Sequence, residues 1–141
     1  MIQYTTPTLQ DVEEIFLLGK KEFHWIFEKI SWDHELVNWY IKKHSPYCFV
    51  AQKDNSIVGF QLSFIKNEIG YMGWICVLPK FRKNSIADTL LEMSIKKFKA
   101  NKNVKNIFAH VRNDGICVEW LKRRGLCAIK QEKFEMKLSI T

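Results

Sequence analysis

The chain has 141 residues, 47% of them hydrophobic and 26% charged. That balance belongs to a soluble globular protein of one domain, residues 1–141, that buries roughly two-thirds of its unfolded surface, and it excludes a disordered chain. The net charge of +7, from 22 basic against 15 acidic residues, raises nucleic acid as a partner, but the cations are dispersed around helix ends and no nucleic-acid reading element accompanies them.

Residues 1–7 lack the basic and apolar regions of a secretory leader, and no apolar run reaches the length of a membrane span, so a cytoplasmic location is expected. Residues 2–6 read as a short strand, and Thr8 with Asp11 has the spacing of a capping box opening a helix whose inner side is marked by Val12, Ile15, Phe16 and Gly19. A second helix is expected over 32–43, with Leu36, Trp39 and Tyr40 on one face and Pro46 beyond its end. Residues 47–52 and 57–65 read as strands joined by a polar hairpin turn at 53–56. A fourth strand follows over 69–78, where β-branched and aromatic types concentrate until Pro79 ends the ladder. Then the period changes: Ala87, Leu90, Leu91, Ser94, Ile95 and Phe98 line one face of a helix that must begin between Arg82 and Ile86. A strand over 104–111, a helix over 114–124 closed by Gly125, and one or two strands over 126–140 complete the chain. The four cysteines, Cys48, Cys76, Cys117 and Cys127, are widely spaced in apolar contexts and read as reduced core thiols; no metal-ligand spacing is present in the sequence.

The junction at 77–87 is the most informative segment. A helix start leaves backbone N–H groups unpaired and carries partial positive charge, so it can hold a phosphate largely by main chain, with Arg82 and Lys83 adding charge. The structural alternative is an ordinary strand-to-helix turn capped by Asn84 or Ser85. The segment resembles the acyl-CoA-binding motif of the GNAT superfamily of N-acetyltransferases, (Gln/Arg)-x-x-Gly-x-(Gly/Ala) after a Val-x-Pro strand end. Arg82, Ile86 and Ala87 match it, whereas Ser85 stands where the family most often has glycine. The order of elements resembles the family as well, which implies an α/β (α+β) fold with a mixed central sheet of six or seven strands, about four flanking helices, and fourth and fifth strands that splay apart. By the same resemblance the pantetheine arm of acetyl-CoA would pair with the fourth strand at Cys76 and Val77, and its pyrophosphate would lie on Arg82, Lys83, Asn84, Ser85, Ile86 and Ala87. Asn113 matches an asparagine that contacts the cofactor arm, and a helix-cap role fits it equally well.

Attack on a thioester needs a neutral amine, and many members of the family supply a base for its proton and a tyrosine acid for the leaving thiolate. The tyrosine position falls on Trp120 or Leu121, and neither can act as an acid. Tyr71 and Gly73 hold the places on the fourth strand where some branches carry a glutamate base. In the branch that acetylates peptide N-termini, a fifth-strand glutamate precedes Val-(Arg)-x-x-Asn, and His110 stands there, followed by Val111, Arg112 and Asn113. An ordinary histidine pKa near 6.5 would let it accept an amine proton at neutral pH. The acceptor wall of this fold, the first two helices and their connection, would hold Phe23, Trp25, Phe27, Trp32, Trp39 and Tyr40 with Glu22, Glu28, Asp33 and Glu35, residues that fit an apolar core as well as an acceptor.

The expectation is therefore acetyl transfer from acetyl-CoA, without a metal, to a primary amine of a small molecule or peptide N-terminus, by a monomer or homodimer with neither nucleic acid nor membrane as partner. Ser85 and the missing tyrosine sustain a second expectation, a domain of the same fold that binds CoA as a sensor or partner-binding module with little turnover.

Overall fold

The computed structural model describes residues 1–23, 32–82, 85–110, 122–123, 127–130 and 135–139. Strand β1 (Gln3–Thr5) leads to helix α1 (Val12–Glu22), then α2 (His34–His44), β2 (Phe49–Lys53), β3 (Ser56–Lys66), β4 (Ile69–Val77), α3 (Ile86–Ala100), β5 (Asn106–His110), β6 (Cys127–Lys130) and β7 (Glu135–Ser139). The strands form a mixed sheet in the order β1-β2-β3-β4-β5-β7-β6, antiparallel at each described pairing except β4 with β5, which is parallel. The parallel pair requires a crossover, and α3 supplies it.

Local chemistry sets most boundaries. Thr8 and Asp11 do form a capping box, with the Thr8 N–H donating to Asp11 Oδ2 at 2.8 Å, but a single 3₁₀ turn at Leu9–Asp11 precedes α1. Helix α2 starts later than expected because Asp33 is its N-cap, accepting the Leu36 N–H at 2.8 Å. The strand expected from Tyr47 begins at Phe49, since Ser45–Tyr47 closes a 3₁₀ turn around Pro46. Asp54 and Asn55 both have positive φ, 52° and 65°, between the paired residues Lys53 and Ser56, which is the two-residue turn that suits the twist of a hairpin. The fifth strand is shorter than expected, starting at Asn106. The expected helix at 114–124, with its Trp120 and Leu121 positions, lies outside the described residues apart from Lys122 and Arg123.

Apolar side chains alternate between the two faces of the sheet. On one face Ile15 and Leu18 of α1 and Val37, Tyr40 and Ile41 of α2 meet Val50, Phe60, Leu62 and Cys76. On the other, Ile86, Leu90, Leu91 and Phe98 of α3 meet Phe49, Ala51, Val58, Met72, Val77 and Ile107. The α3 face follows the expected period, although Ile86 is buried where Ala87 was expected, and Ala87 and Ile95 are half-buried. Each buried leucine, isoleucine or phenylalanine contributes about 1.5–3 kcal/mol relative to exposure, so these two layers fix where β4 lies.

One irregularity in β4 matters for the site. Leu62 pairs with Trp74 and Ser63 with Met72, so Gly73 is an extra residue, a bulge. The bulge reverses the alternation: Met72 faces α3, while Trp74 and Cys76 face α1 and α2.

Candidate active site

Four features converge at the C-terminal end of β4. The first is an incompletely paired strand. Pairing between β4 and β5 runs from Ile69 with Asn106 to Met72 with Ala109, and from Gly73 to Val77 the described partner of β4 is β3 alone. Alternate N–H and C=O groups along that stretch face away from β3, the arrangement an extended amide chain can pair with. Cys76 and Val77 lie in it, opposite Phe60 and Gly59 of β3.

The second feature is the turn into α3. The Leu78 N–H donates to the Val58 carbonyl at 2.9 Å, and one 3₁₀ turn at Pro79–Phe81 carries the chain to Arg82. Ser85 is the N-cap of α3 with φ 61° and ψ 16°, a left-handed conformation, and its side chain makes no cap hydrogen bond. That corrects the expectation of a side-chain cap from Ser85, and it explains why the family motif has glycine here, since glycine alone adopts this conformation without steric cost. The Thr89 N–H donates to the Ser85 carbonyl at 3.0 Å, and the N–H groups of Ile86 and Ala87 precede the helical ladder. The Thr89 hydroxyl donates to the same carbonyl at 2.9 Å, and Ser85 is exposed at the mouth of the helix. An anion fits this end of α3, and the long helix adds its dipole. Lys83 and Asn84, expected to complete the loop, lie outside the described residues.

Arg82 is the third feature, and it is held from within. Its Nε donates to the Val77 carbonyl at 3.0 Å and its Nη2 to Glu22 Oε1 at 3.1 Å. Glu22, at the end of α1, is only 14% exposed in its side chain, while Arg82 is 56% exposed. At that exposure the pair is worth little as Coulomb energy. Its importance is positional, because it ties the turn into α3 to the end of α1. Burial, then the Glu22 charge, pushes the Cys76 thiol up to about 12, with Arg82 acting in the opposite direction. Such a thiol stays protonated and is not a nucleophile.

The fourth feature is an aromatic wall. Trp32 donates its indole N–H to the Phe16 carbonyl at 2.9 Å and lies on Gly19, where a Cβ would come within 2.3 Å of the ring. It meets Trp74 at 4.9 Å and Phe23 at 5.1 Å, and Phe23 is 5.2 Å from Trp74. These rings pack with the core cluster between α1 and β4, so Phe23 and Trp32 are core residues. Trp25, Phe27 and Glu28 lie outside the described residues.

His110 is the last residue of β5 and pairs with Glu135 of β7. In the β4–β5 register it falls one step beyond Ala109, level with Gly73, where the described pairing stops. Asn113 lies outside the described residues. Sequence reasoning set Glu22 and Tyr40 on the acceptor wall without a role; Glu22 reaches Arg82 across 60 residues of chain, a link that no local pattern reveals.

A sheet whose β4 and β5 stop pairing beside the start of a long helix matches the architecture that the resemblance implied. The family comparison agrees: the model of the acetyltransferase (GNAT) family matches residues 12–125. The chain belongs to the GNAT acetyltransferase family. An N-alpha-acetyltransferase of Saccharolobus solfataricus is 35% identical over 85 residues, which cover 52% of this chain and 51% of that protein, so the match spans about half of each. Among solved structures, the PaiA N-acetyltransferase of Thermoplasma acidophilum, in complex with coenzyme A, superposes with a TM-score of 0.83 at 16% identity over 99% of both chains. The ribosomal-protein-S18-alanine N-acetyltransferase of Escherichia coli gives 0.79 at 14% identity, over 100% of this chain and 95% of that one. At those identities the two structures establish the fold.

Proposed function

We propose that the protein transfers acetyl from acetyl-CoA to a primary amine, that of a peptide N-terminus or of a small molecule, in the cytoplasm. The observation that carries this reading is the juxtaposition of the stretch Gly73–Val77, which has no described β5 partner, with the left-handed Ser85 at the start of α3. One holds an amide-containing arm by backbone hydrogen bonds, and the other holds its pyrophosphate, with Arg82 keeping the turn between them in place. Lys83, Asn84, Ile86 and Ala87 belong to the same phosphate loop, and Asn113 is assigned to the cofactor arm. A peptide N-terminus is favoured as acceptor by the archaeal N-alpha-acetyltransferase relative.

His110 is assigned as the base, taking a proton from the amine directly or through water as nitrogen bonds to the thioester carbon. His110→Ala is expected to lower the rate of acetyl transfer about a hundredfold with acetyl-CoA affinity retained. Acetylated product measured by mass spectrometry over a panel of peptides and amines checks it, and an unchanged rate would remove His110 from the mechanism. The second reading, a CoA-binding module with little turnover, is favoured by one observation: Ser85 places a side chain where the motif leaves backbone bare. Binding of acetyl-CoA without product from any acceptor would select it.

A further inference from the structure

Gly73 has no partner on β3, where it is the bulged residue, and the described β4–β5 pairing ends just before it. Its Cβ position is occupied from outside: an added Cβ would stand 2.3 Å from Tyr40 Oη, 3.1 Å from Tyr40 Cζ and 3.2 Å from the Leu62 carbonyl oxygen. The glycine is thus required by the close approach of a phenol from α2. Some branches of the family project a glutamate from this same position, so here a hydroxyl stands where a carboxylate would begin. His110 is one register step away on β5.

We infer that Tyr40 is the proton donor of the acetyl-transfer site, reaching from α2 to the place where β4 and β5 stop pairing. The inference rests on the acetyl-transfer reading above and fills the role left open at Trp120 and Leu121. The ring is 4% exposed and clamped edge-on by Trp39 at 4.9 Å and Phe64 at 5.8 Å, so its hydroxyl has one direction to point. The effect of burial on the phenol is partly offset by the Trp74 side chain, next to Gly73 on β4.

The step balances without further reagents. The amine nitrogen bonds to the thioester carbon, the carbon–sulfur bond breaks, and the sulfur keeps the electron pair and takes the Tyr40 proton to become the CoA thiol. The proton lost by the amine, held on His110, returns through water to the Tyr40 oxygen. Burial raises the phenol above its ordinary pKa, reinforced by Cys48 and opposed by the Trp74 hydrogen bond. The hydroxyl therefore remains protonated at any assay pH, and it gives up its proton only as the other is returned.

The test compares the wild type with Tyr40→Phe, with Gly73→Ala, whose methyl would displace the hydroxyl without removing it, and with site-specific fluorotyrosines at position 40 that make the phenol more acidic at nearly constant shape. The inference expects a fall in kcat of about a hundredfold for Tyr40→Phe, acetyl-CoA affinity kept within about twofold, and a kcat that varies with fluorination. A Tyr40→Phe rate within about twofold of wild type, or a rate flat across the fluorotyrosines, overturns it while leaving acetyl transfer intact. Should Tyr40→Phe fail to fold, the fluorotyrosine series decides alone. If the wild type itself acetylates no amine in the panel, the functional reading fails and this inference fails with it.

Discussion

Ser85 stores strain where glycine would store none. A left-handed backbone costs an ordinary residue roughly 1–2 kcal/mol, part of which glycine returns as extra freedom in the unfolded chain. Ser85→Gly is therefore expected to leave stability unchanged or raise it by up to about 1 kcal/mol, and Ser85→Val to lower it by about 1 kcal/mol or more, both read from denaturant melts. The motif marked this residue as unusual, but residue type does not carry the sign of φ, so only the structure supplies the reason. Cys48 and Cys76 make the second argument at this scale. Both thiols are buried, and burial pushes each from 9.0 to about 12. Between those values the unfolded chain releases protons that the fold retains, so their contribution is intact below about pH 9 and is lost as pH rises toward 12. Stability measured between about pH 8 and pH 11 should decline more steeply in the wild type than in Cys48→Ala or Cys76→Ala, and parallel curves would contradict the assigned burial.

The elements were legible where periodicity is strong and blurred where a single side chain sets a boundary. The face of α3 could be read from its 3.6-residue spacing, and the β2–β3 hairpin from Asp54 and Asn55. The start of α2 was not, because the Asp33 side chain, by accepting the Leu36 N–H, sets it two residues beyond the expected 32. The β4 bulge gave no sequence signal beyond a glycine, since a shift in pairing depends on both strands. Packing between elements is just as hidden. Gly19 is an unremarkable helix glycine until Trp32 is seen resting on it, and Gly19→Ala should destabilise by about 1–3 kcal/mol, because the ring is fixed by its bond to the Phe16 carbonyl and cannot withdraw. Thermal melting checks that, and an unaltered midpoint would mean the helix can move aside. Arg82 joins the end of α1 to the turn into α3 through two separate donors, so if that turn holds the CoA phosphates, Arg82→Lys, which keeps charge and loses the fork, should weaken acetyl-CoA binding about threefold to tenfold by calorimetry.

For the whole molecule, the order of the described strands and helices was readable because each element buries one face and the crossover at α3 demands a parallel neighbour for β4. Among the described residues no helix is long and apolar enough to cross a membrane. What the sequence did not yield is the layout of the candidate site, which draws on α1, α2, β4, the α3 turn and β5, five segments distant in the chain. Family membership places this frame among the GNAT acetyltransferases, and the proposed transfer would take place at the β4–β5 break. The most direct measurement is a calorimetric titration with acetyl-CoA followed, in the same sample, by CoA thiol release on addition of peptide N-termini and small amines. Binding followed by acceptor-dependent release is the predicted result. Absence of binding would show that Ser85 closes the phosphate site, and would contradict the account despite the correct fold.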